Sequence, residues 1–194
     1  MHLGRNLAGV LALALLGGCI SLAGKPPKML IGLSAEKVPA AGTLPGGKIG
    51  DALVVLDPQA DRKLDVLRVV VQVDATRIAY LKDATWVERP ARQMRHLLAE
   101  TIRARGQHLV LEANDDVTGS KQTLAGRLID MGYDARLQSV VVRYDAMRSN
   151  ARGLIEARRF EAVVPGISPQ PEAVASALNR AANDVAAQVA DWVG

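Results

Sequence analysis

Apolar residues recur with two different periods along the chain, and the change of period separates predicted strands from predicted helices. Val and Leu cluster in short runs bounded by turn residues, as in ALVVLD and VLRVVVQVD, and RIAYLK follows closely enough to be a hairpin partner. Between residues 91 and 105 the apolar positions recur at helical spacing, and Gly106 occupies the position of a C-terminal cap. This pattern predicts a first amphipathic helix that follows several strands.

Strand patterns return after this helix, and a second helix ends the chain. The runs HLVLEA, LAGRLIDMGYDA, SVVVRYDAM and GLIEARRFEAVV predict strands, and RSNA predicts a hairpin loop between the last two. Ser168, Pro169 and Pro171 mark the entry to the second helix. Its apolar stripe consists of Val174, Ala177, Leu178, Ala181, Val185, Val189 and Trp192. The predicted fold class is α+β, with an antiparallel-dominated sheet of six to seven strands and both amphipathic helices packed on one face.

The start of the chain has the layout of a secretory signal. Arg5 precedes an apolar run from Leu7 to Leu16, and Gly17 and Gly18 follow it. The run has about half of the roughly 20 apolar residues that a membrane-spanning helix needs. We therefore predict a signal peptide over residues 1–18 that directs export of the protein.

Cys19 is the only cysteine of the chain, and it directly follows this segment. Its place at the small-residue exit disfavours a free buried thiol, and a disulfide within the chain would need a second cysteine. Leu16, Gly17, Gly18 and Cys19 resemble the bacterial lipoprotein box, in which the peptidase cuts before a cysteine that carries the lipid. The resemblance implies that Cys19 is the lipid attachment site, and several acyl chains there would hold the protein on a membrane.

Composition indicates a globular protein with one domain after the anchor. The chain is 49% hydrophobic and 23% charged. Residues 19–50 are rich in Pro and Gly and predict a tether and loop, interrupted by the strand candidate KMLIGLS, and residues 51–194 predict a single α+β domain. The net charge of +4 would suit nucleic acid, but export argues against that partner. The basic side chains therefore face anionic lipid head groups, an acidic protein surface or solvent alone.

No motif in the chain predicts catalysis, a cofactor or a metal. The loop Gly42 to Lys48 reads GTLPGGK, but it lacks the preceding strand, the hydroxyl residue and the following helix of a phosphate-binding loop. His96 and His108 are not spaced as metal ligands, and EANDDVTG, with Asp115 and Asp116, lacks the repeated oxygen ligands of a calcium loop. We therefore predict that the protein is not an enzyme and needs no cofactor.

The order of motifs from Arg77 to the end of the chain, which covers most of the predicted mature protein, resembles a known family. RIAYLKDATWVERPARQMRHLLAETI contains a strand that ends in Tyr80, then Trp86 with Glu88, then the amphipathic helix. VVVRYDAM, EARRFEAVVP and the final ADWVG follow in the same order. This arrangement is similar to the ABC-type transport auxiliary lipoprotein family, which includes paraquat-inducible protein C. The strand candidate KMLIGLS departs from the family pattern because it lacks the Tyr or Phe often found there.

The resemblance implies a non-enzymatic lipoprotein of an MCE-type system that moves lipids between the two membranes of a Gram-negative envelope. The implied direct partner is the MCE protein, phospholipid is a further candidate contact, and ATP hydrolysis belongs to a separate subunit. The implied location is the periplasmic face of the envelope, at the outer membrane, because Ile20 is not the Asp that commonly retains lipoproteins at the inner membrane. The sequence leaves the oligomeric state open, homo-oligomers included.

A hypothesis from another class is an envelope lipoprotein that activates or regulates a cell-wall synthase. Small α+β lipoprotein domains on long tethers also serve that role. Reaching through the peptidoglycan needs a long disordered segment, whereas the predicted tether covers only residues 19–50. The length of the tether therefore favours the transport hypothesis.

Three side chains near the first predicted helix are candidate contacts for a partner or a lipid. Trp86 could anchor a partner or an acyl chain, because tryptophan is enriched at interface centres. Its place beside Pro90 also suits a structural role at the start of the helix, and we favour that interpretation. Arg92 and Arg95 lie on the predicted basic face of the helix, which either faces solvent or contacts lipid head groups or an acidic partner.

Overall fold

A mixed β-sheet of nine strands and two α-helices form the fold in the computed structural model, which describes residues 29–113, 115 and 118–194. The strands are β1 Met29–Ile31, β2 Leu53–Val55, β3 Gln59–Ala60, β4 Arg68–Gln72, β5 Ile78–Trp86, β6 Val110–Glu112, β7 Gln122–Asp134, β8 Ser139–Ser149 and β9 Ile155–Val164. The helices are α1 Pro90–Arg103 and α2 Pro171–Val193. The predicted signal peptide, Cys19, Ile20 and Asp116 lie outside the described residues.

The longest strand, β7, organises the sheet. One of its edges pairs antiparallel with β8, and β8 pairs antiparallel with β9. The other edge of β7 receives β2, β3 and β4 one after another, and all three run parallel to it. Beyond them, β6 is parallel to β2, β5 is antiparallel to β4, and β1 is parallel to β5.

The α+β class is confirmed, but the prediction of an antiparallel-dominated sheet with six to seven strands is wrong. The sheet is mixed and has nine strands among the described residues. β2, β3 and β4 lie one after another along β7 and all run in the same direction, so their pairs with β7 are parallel. The connections between them, at Asp57 and Pro58 and at the turn that starts at Asp61, advance the chain along β7 without reversing it. β3 has only two residues, too few to show a pattern in the sequence.

Both predicted hairpins are confirmed. β4 and β5 pair antiparallel, with Val70 opposite Tyr80. The loop between β8 and β9 closes through a hydrogen bond in which the backbone N–H of Asn150 donates to the carbonyl of Leu154 at 3.1 Å. Strands that are joined by a short turn are therefore the part of the sheet that the pattern of apolar residues predicted.

The two helices contact each other and cover the sheet, α1 on β2 and β6 and α2 on β8 and β9. The predicted stripe of α2 is buried from Val174 to Val189, whereas Trp192 is only partly buried and Val193 fills the last position. Burying one large aliphatic side chain stabilises the fold by about 1.5–3 kcal/mol. The two helices therefore cover one face of the sheet and bury the core between themselves and the strands.

A short segment after β1 is fixed between the two helices. The side-chain oxygen of Gln93 on α1 accepts the Leu33 N–H at 2.8 Å. Asn183 on α2 accepts the Glu36 N–H at 2.9 Å and donates to the carbonyl of Ser34 at 2.9 Å. The strand predicted from KMLIGLS is confirmed as β1, and the folded domain includes this part of the predicted tether.

A glycine in β7 leaves room for a buried tyrosine of β8. A Cβ atom on Gly126 would overlap the hydroxyl group of Tyr144 and the carbonyl of Asp145. The Tyr144 hydroxyl donates to the carbonyl of Ala125 at 3.1 Å, and burial raises the pKa of this side chain. No larger residue fits at position 126 unless both the tyrosine and the backbone at Asp145 move.

Candidate partner-binding surface

Trp86 is the last residue of β5 and lies in the core. Its backbone N–H donates to the carbonyl of Leu67 at 2.8 Å, and it is aligned with Ile31 of β1. The side chain is 1% exposed, and within the described part of the chain its indole N–H has no hydrogen-bond partner. The ring offers no surface to a partner or an acyl chain here, so its burial fits the structural interpretation.

Arg95 is fully buried, so the prediction that it lies on an exposed basic face is wrong. Its guanidinium group forms ion pairs with Asp57 at 2.9 Å and with Glu112 at 3.1 Å. Helical spacing separates polar from apolar positions, but it does not reveal that β2 and β6 cover part of the polar side of α1. Arg95 is therefore a buried cation that joins the helix to the sheet, and it is not a surface contact.

Glu112 at the end of β6 is the centre of this charged network. Its carboxylate lies 3.1 Å from Arg95, 3.1 Å from Arg103 and 2.6 Å from the Nδ1 atom of His96. One carboxylate shared by three side chains of α1 fixes the polar side of the helix to the sheet. The sequence signal for Asp57 and Glu112 is weak, because it consists only of acidic residues at or shortly after a strand and an arginine-rich helix elsewhere in the chain.

Arg92 lies at the exposed start of α1, beside a groove on the surface. Its side chain is 53% exposed and forms an ion pair with Glu88 at 3.0 Å. The groove has a volume of about 490 Å³ and also exposes two apolar side chains, Leu67 and Val87. We call it the α1 groove, and its lining residues are Asp57, Pro58, Asp65, Leu67, Val87, Glu88, Arg89, Ala91 and Arg92.

The α1 groove combines apolar surface with charges in defined positions. Leu67 is 45% exposed and Val87 is 59% exposed. Arg89 pairs with Asp65 at 3.3 Å, and Arg92 pairs with Glu88, so the groove contains two ion pairs beside its apolar side chains. An apolar centre with a polar rim is the usual anatomy of a protein interface. The groove therefore presents exposed apolar side chains and charged groups together, as protein-binding surfaces do.

The face of the sheet opposite the helices carries charged pairs on its last strands. Arg159 on β9 donates two hydrogen bonds to Asp145 on β8, at 2.6 and 2.7 Å. Arg143 on β8 bridges Asp130 on β7 and Glu161 on β9. The bonds from Arg159 hold the pKa of the Asp145 carboxyl below its usual value. These charges neutralise one another across the strands.

The other sequence candidates are dispersed over the structure. His96 contacts Glu112, whereas the Nε2 atom of His108 lies 2.7 Å from the carbonyl oxygen of Gly194. Lys48 precedes a single turn of 3-10 helix, Ile49–Asp51, and then β2. The described residues contain no cluster of three or more His, Cys, Asp or Glu side chains that could hold a metal ion. Within the same part of the chain, every helix is too short or too polar to cross a membrane.

The fold and the α1 groove define an α+β domain with a candidate protein-binding surface. The model of the family described as ABC-type transport auxiliary lipoprotein component matches residues 33–190. The chain belongs to this family, so the resemblance found in its motifs is confirmed, and membership indicates a lipoprotein of the cell envelope. A search of curated proteins finds no match.

Solved structures of other proteins share the fold. A Xanthomonas campestris protein of the DUF330 family is 18% identical, with a TM-score of 0.70, and the alignment covers 85% of this chain and 94% of that one. A second, uncharacterized protein is 14% identical, with a TM-score of 0.69, and the alignment covers 87% of this chain and 100% of the other. At these identities the likeness concerns the fold alone.

Proposed function

We propose that the protein is a non-enzymatic, lipid-anchored accessory component of an ABC-type system for lipid transport between membranes, and that it docks to the MCE protein of that system. The observation that carries this proposal is the family match over residues 33–190. The lipoprotein box that ends at Cys19 supports a lipid anchor at the periplasmic face, and Ile20 supports the outer membrane.

The α1 groove is the surface that best fits the docking step. Leu67 and Val87 expose apolar area that the fold itself does not cover, and ion pairs lie beside it. Apolar anchors inside a polar rim usually supply most of the energy of a protein interface. The partner therefore inserts apolar side chains between Leu67 and Val87, and its polar groups meet the charges of Arg89 and Arg92.

Crosslinking in the native envelope tests the partner. The full-length protein with an epitope tag is crosslinked in intact cells, solubilised and purified, and the bound proteins are identified by mass spectrometry. We expect an MCE protein among the crosslinked products. Recovery of cell-wall synthases without any MCE protein would contradict the proposal and favour the alternative hypothesis.

A pair of matched variants tests the surface. Leu67→Glu places a charge in the α1 groove, whereas Ile78→Glu places one on an equally exposed apolar residue elsewhere, since the two side chains are 45% and 44% exposed. Exposed substitutions of this kind usually change stability by less than about 0.5 kcal/mol. We expect Leu67→Glu to reduce recovery of the partner at normal protein abundance and Ile78→Glu to leave it unchanged. Equal recovery with both variants would exclude the groove as the docking surface.

A further inference from the structure

The strand β9 forms one edge of the sheet. Among the described residues, Ile155–Val164 pair only with β8, and the register runs without a shift from Val140 opposite Val164 to Ser149 opposite Ile155. Eight of the ten residues are exposed or half-buried, and the strand contains no proline. A long regular edge of this kind presents a row of backbone groups that can pair with another strand.

The hydrogen bonds of the hairpin indicate which residues of β9 direct their backbone outward. The N–H of Asn150 donates to the carbonyl of Leu154, so these two residues form a hydrogen-bonded pair. Because such pairs alternate along an antiparallel ladder, even-numbered residues bond to β8 and odd-numbered residues face the open edge. The side-chain amide of Gln188 reaches the carbonyl of Glu161 at 3.3 Å, which agrees with an outward carbonyl at this odd-numbered position.

The residues whose backbone faces the open edge have an order of charges that is complementary to the same segment of a second, antiparallel copy. Along the side of the sheet opposite the helices, the sequence is Ala157, Arg159, Glu161 and Val163, which reads apolar, basic, acidic, apolar. A second β9 strand turned around by a two-fold axis at Phe160 places Arg159 opposite Glu161 and Ala157 opposite Val163. Opposite charges that face each other across strands stabilise pairing, whereas like charges there oppose it.

We propose that β9 pairs antiparallel with β9 of a second copy, centred on Phe160, so that the two sheets form one continuous sheet. The contact between Arg159 and Glu161 then forms twice, as a two-fold interface requires. The same two residues also exchange backbone hydrogen bonds across the join. Gln188 holds the Glu161 carbonyl only by a long bond, and a carbonyl oxygen can accept a second one.

Cysteine crosslinking in the periplasm tests the register. Residues opposite each other in a hydrogen-bonded pair have Cα atoms about 5.5 Å apart, which is within the range for a disulfide. The full-length protein with both Ala157→Cys and Val163→Cys should form a reducible dimer, because these positions face each other in the proposed pair. Each single substitution should not, since position 157 lies far from position 157 of the second copy. Cys19 is the only natural cysteine, so the unsubstituted protein is the background control.

Each pattern of crosslinking either supports the paired β9 strands or excludes them. A disulfide-linked dimer of the double variant alone supports the proposal. No dimer in any variant, equal dimers in all of them, or a disulfide to a different protein would overturn it.

Exchange of charges between two copies provides a test that does not depend on cysteines. Arg159→Glu alone and Glu161→Arg alone place like charges opposite each other, and each should abolish co-purification of two differently tagged full-length copies. Co-expression of one Arg159→Glu copy with one Glu161→Arg copy removes the like-charge contacts between the copies, so co-purification should return. The substitutions also break the ion pairs with Asp145 and Arg143 inside each copy, and that loss is the same alone and in the mixture. The contacts within each copy are the same whether a variant is expressed alone or in the mixture. A difference in co-purification therefore reports pairing between copies and not folding. Failure of the mixture to recover, at normal abundance of both copies, would contradict the proposed register.

Discussion

The Nη1 atom of Arg95 lies 2.9 Å from the Oδ1 atom of Asp57, and this contact joins a fully buried guanidinium group to a carboxylate that is 48% exposed. Glu112 contacts the same guanidinium group from β6. A buried cation keeps its charge at low cost only where carboxylates and hydrogen bonds surround it. The polar side of α1 is therefore buried against the sheet at Arg95, whereas Arg92 and His96 on the same helix remain exposed.

Replacing Arg95 should destabilise the protein much more than replacing its neighbour on the same helix. Arg95→Ala leaves Glu112 and Asp57 without their shared cation, and breaking a buried ion pair costs about 3–5 kcal/mol. We expect a loss near the lower end of that range, because Asp57 remains accessible to water. Urea unfolding followed by circular dichroism measures it. Arg92→Ala is the control, and an equal effect of the two substitutions would contradict the assigned role.

The close contact at Gly126 should make an alanine there destabilising. A methyl group would overlap Tyr144 and the carbonyl of Asp145, and such overpacking typically costs about 1–3 kcal/mol. A Cβ atom on Gly46 would have no heavy atom within 4 Å, so Gly46→Ala is the matched control and should change the melting temperature little. Equal melting temperatures of the two variants would contradict this close contact, since both Tyr144 and the backbone at Asp145 would have to shift without cost.

The second helix should act through packing. Leu178 is 0% exposed, and truncating a buried leucine to alanine costs roughly 2–5 kcal/mol. We expect Leu178→Ala to lower the free energy of unfolding by such an amount and to reduce abundance in cells. Arg180→Ala on the exposed side of the same helix should stay within about 0.5 kcal/mol of the parent protein. Normal stability of Leu178→Ala would contradict this packing role, because the lost burial of the side chain costs stability even where the cavity collapses.

The turn between β4 and β5 should contribute stability that depends on pH. Backbone N–H groups of Thr76 and Arg77 and the Arg77 side chain bind the Asp74 carboxylate and lower its pKa from 3.8 to about 2. Because the folded pKa is depressed, the stabilisation is present above the unfolded pKa and is lost as the pH falls towards 2. The stability difference between the parent and Asp74→Asn should therefore be largest above about pH 4 and shrink below it, as unfolding curves at several pH values would show. A difference that does not vary with pH would contradict this role.

The elements that the sequence predicted correctly are those with strong local patterns. The apolar stripe of α2 and the hairpin of β8 and β9 need only neighbouring residues to specify them. The parallel pairing of β2 with β7 depends on contacts between distant segments, which no local period encodes. Local patterns therefore identify strand pairs within hairpins and leave the pairing between hairpins undetermined.

The candidate surface was predictable only in part, for a similar reason. Arg92 and Arg95 are three residues apart on one helix, and their spacing assigns them to the same polar side. Their different burial arises from Asp57, in the connection after β2, and Glu112, at the end of β6, which both form ion pairs with Arg95. Leu67 and Val87 show no motif, because an exposed apolar residue in a loop looks the same in sequence as a buried one.

Site-specific photocrosslinking from the α1 groove tests docking to an MCE protein most directly. A photoreactive residue replaces Val87 in the full-length protein, and the same residue replaces Leu137 as a control, since these side chains are 59% and 61% exposed at different places. After irradiation of intact cells, we expect an adduct with an MCE protein from position 87 and none from position 137. An adduct from position 87 with a cell-wall synthase, or the same MCE adduct from both positions, would contradict docking through the groove.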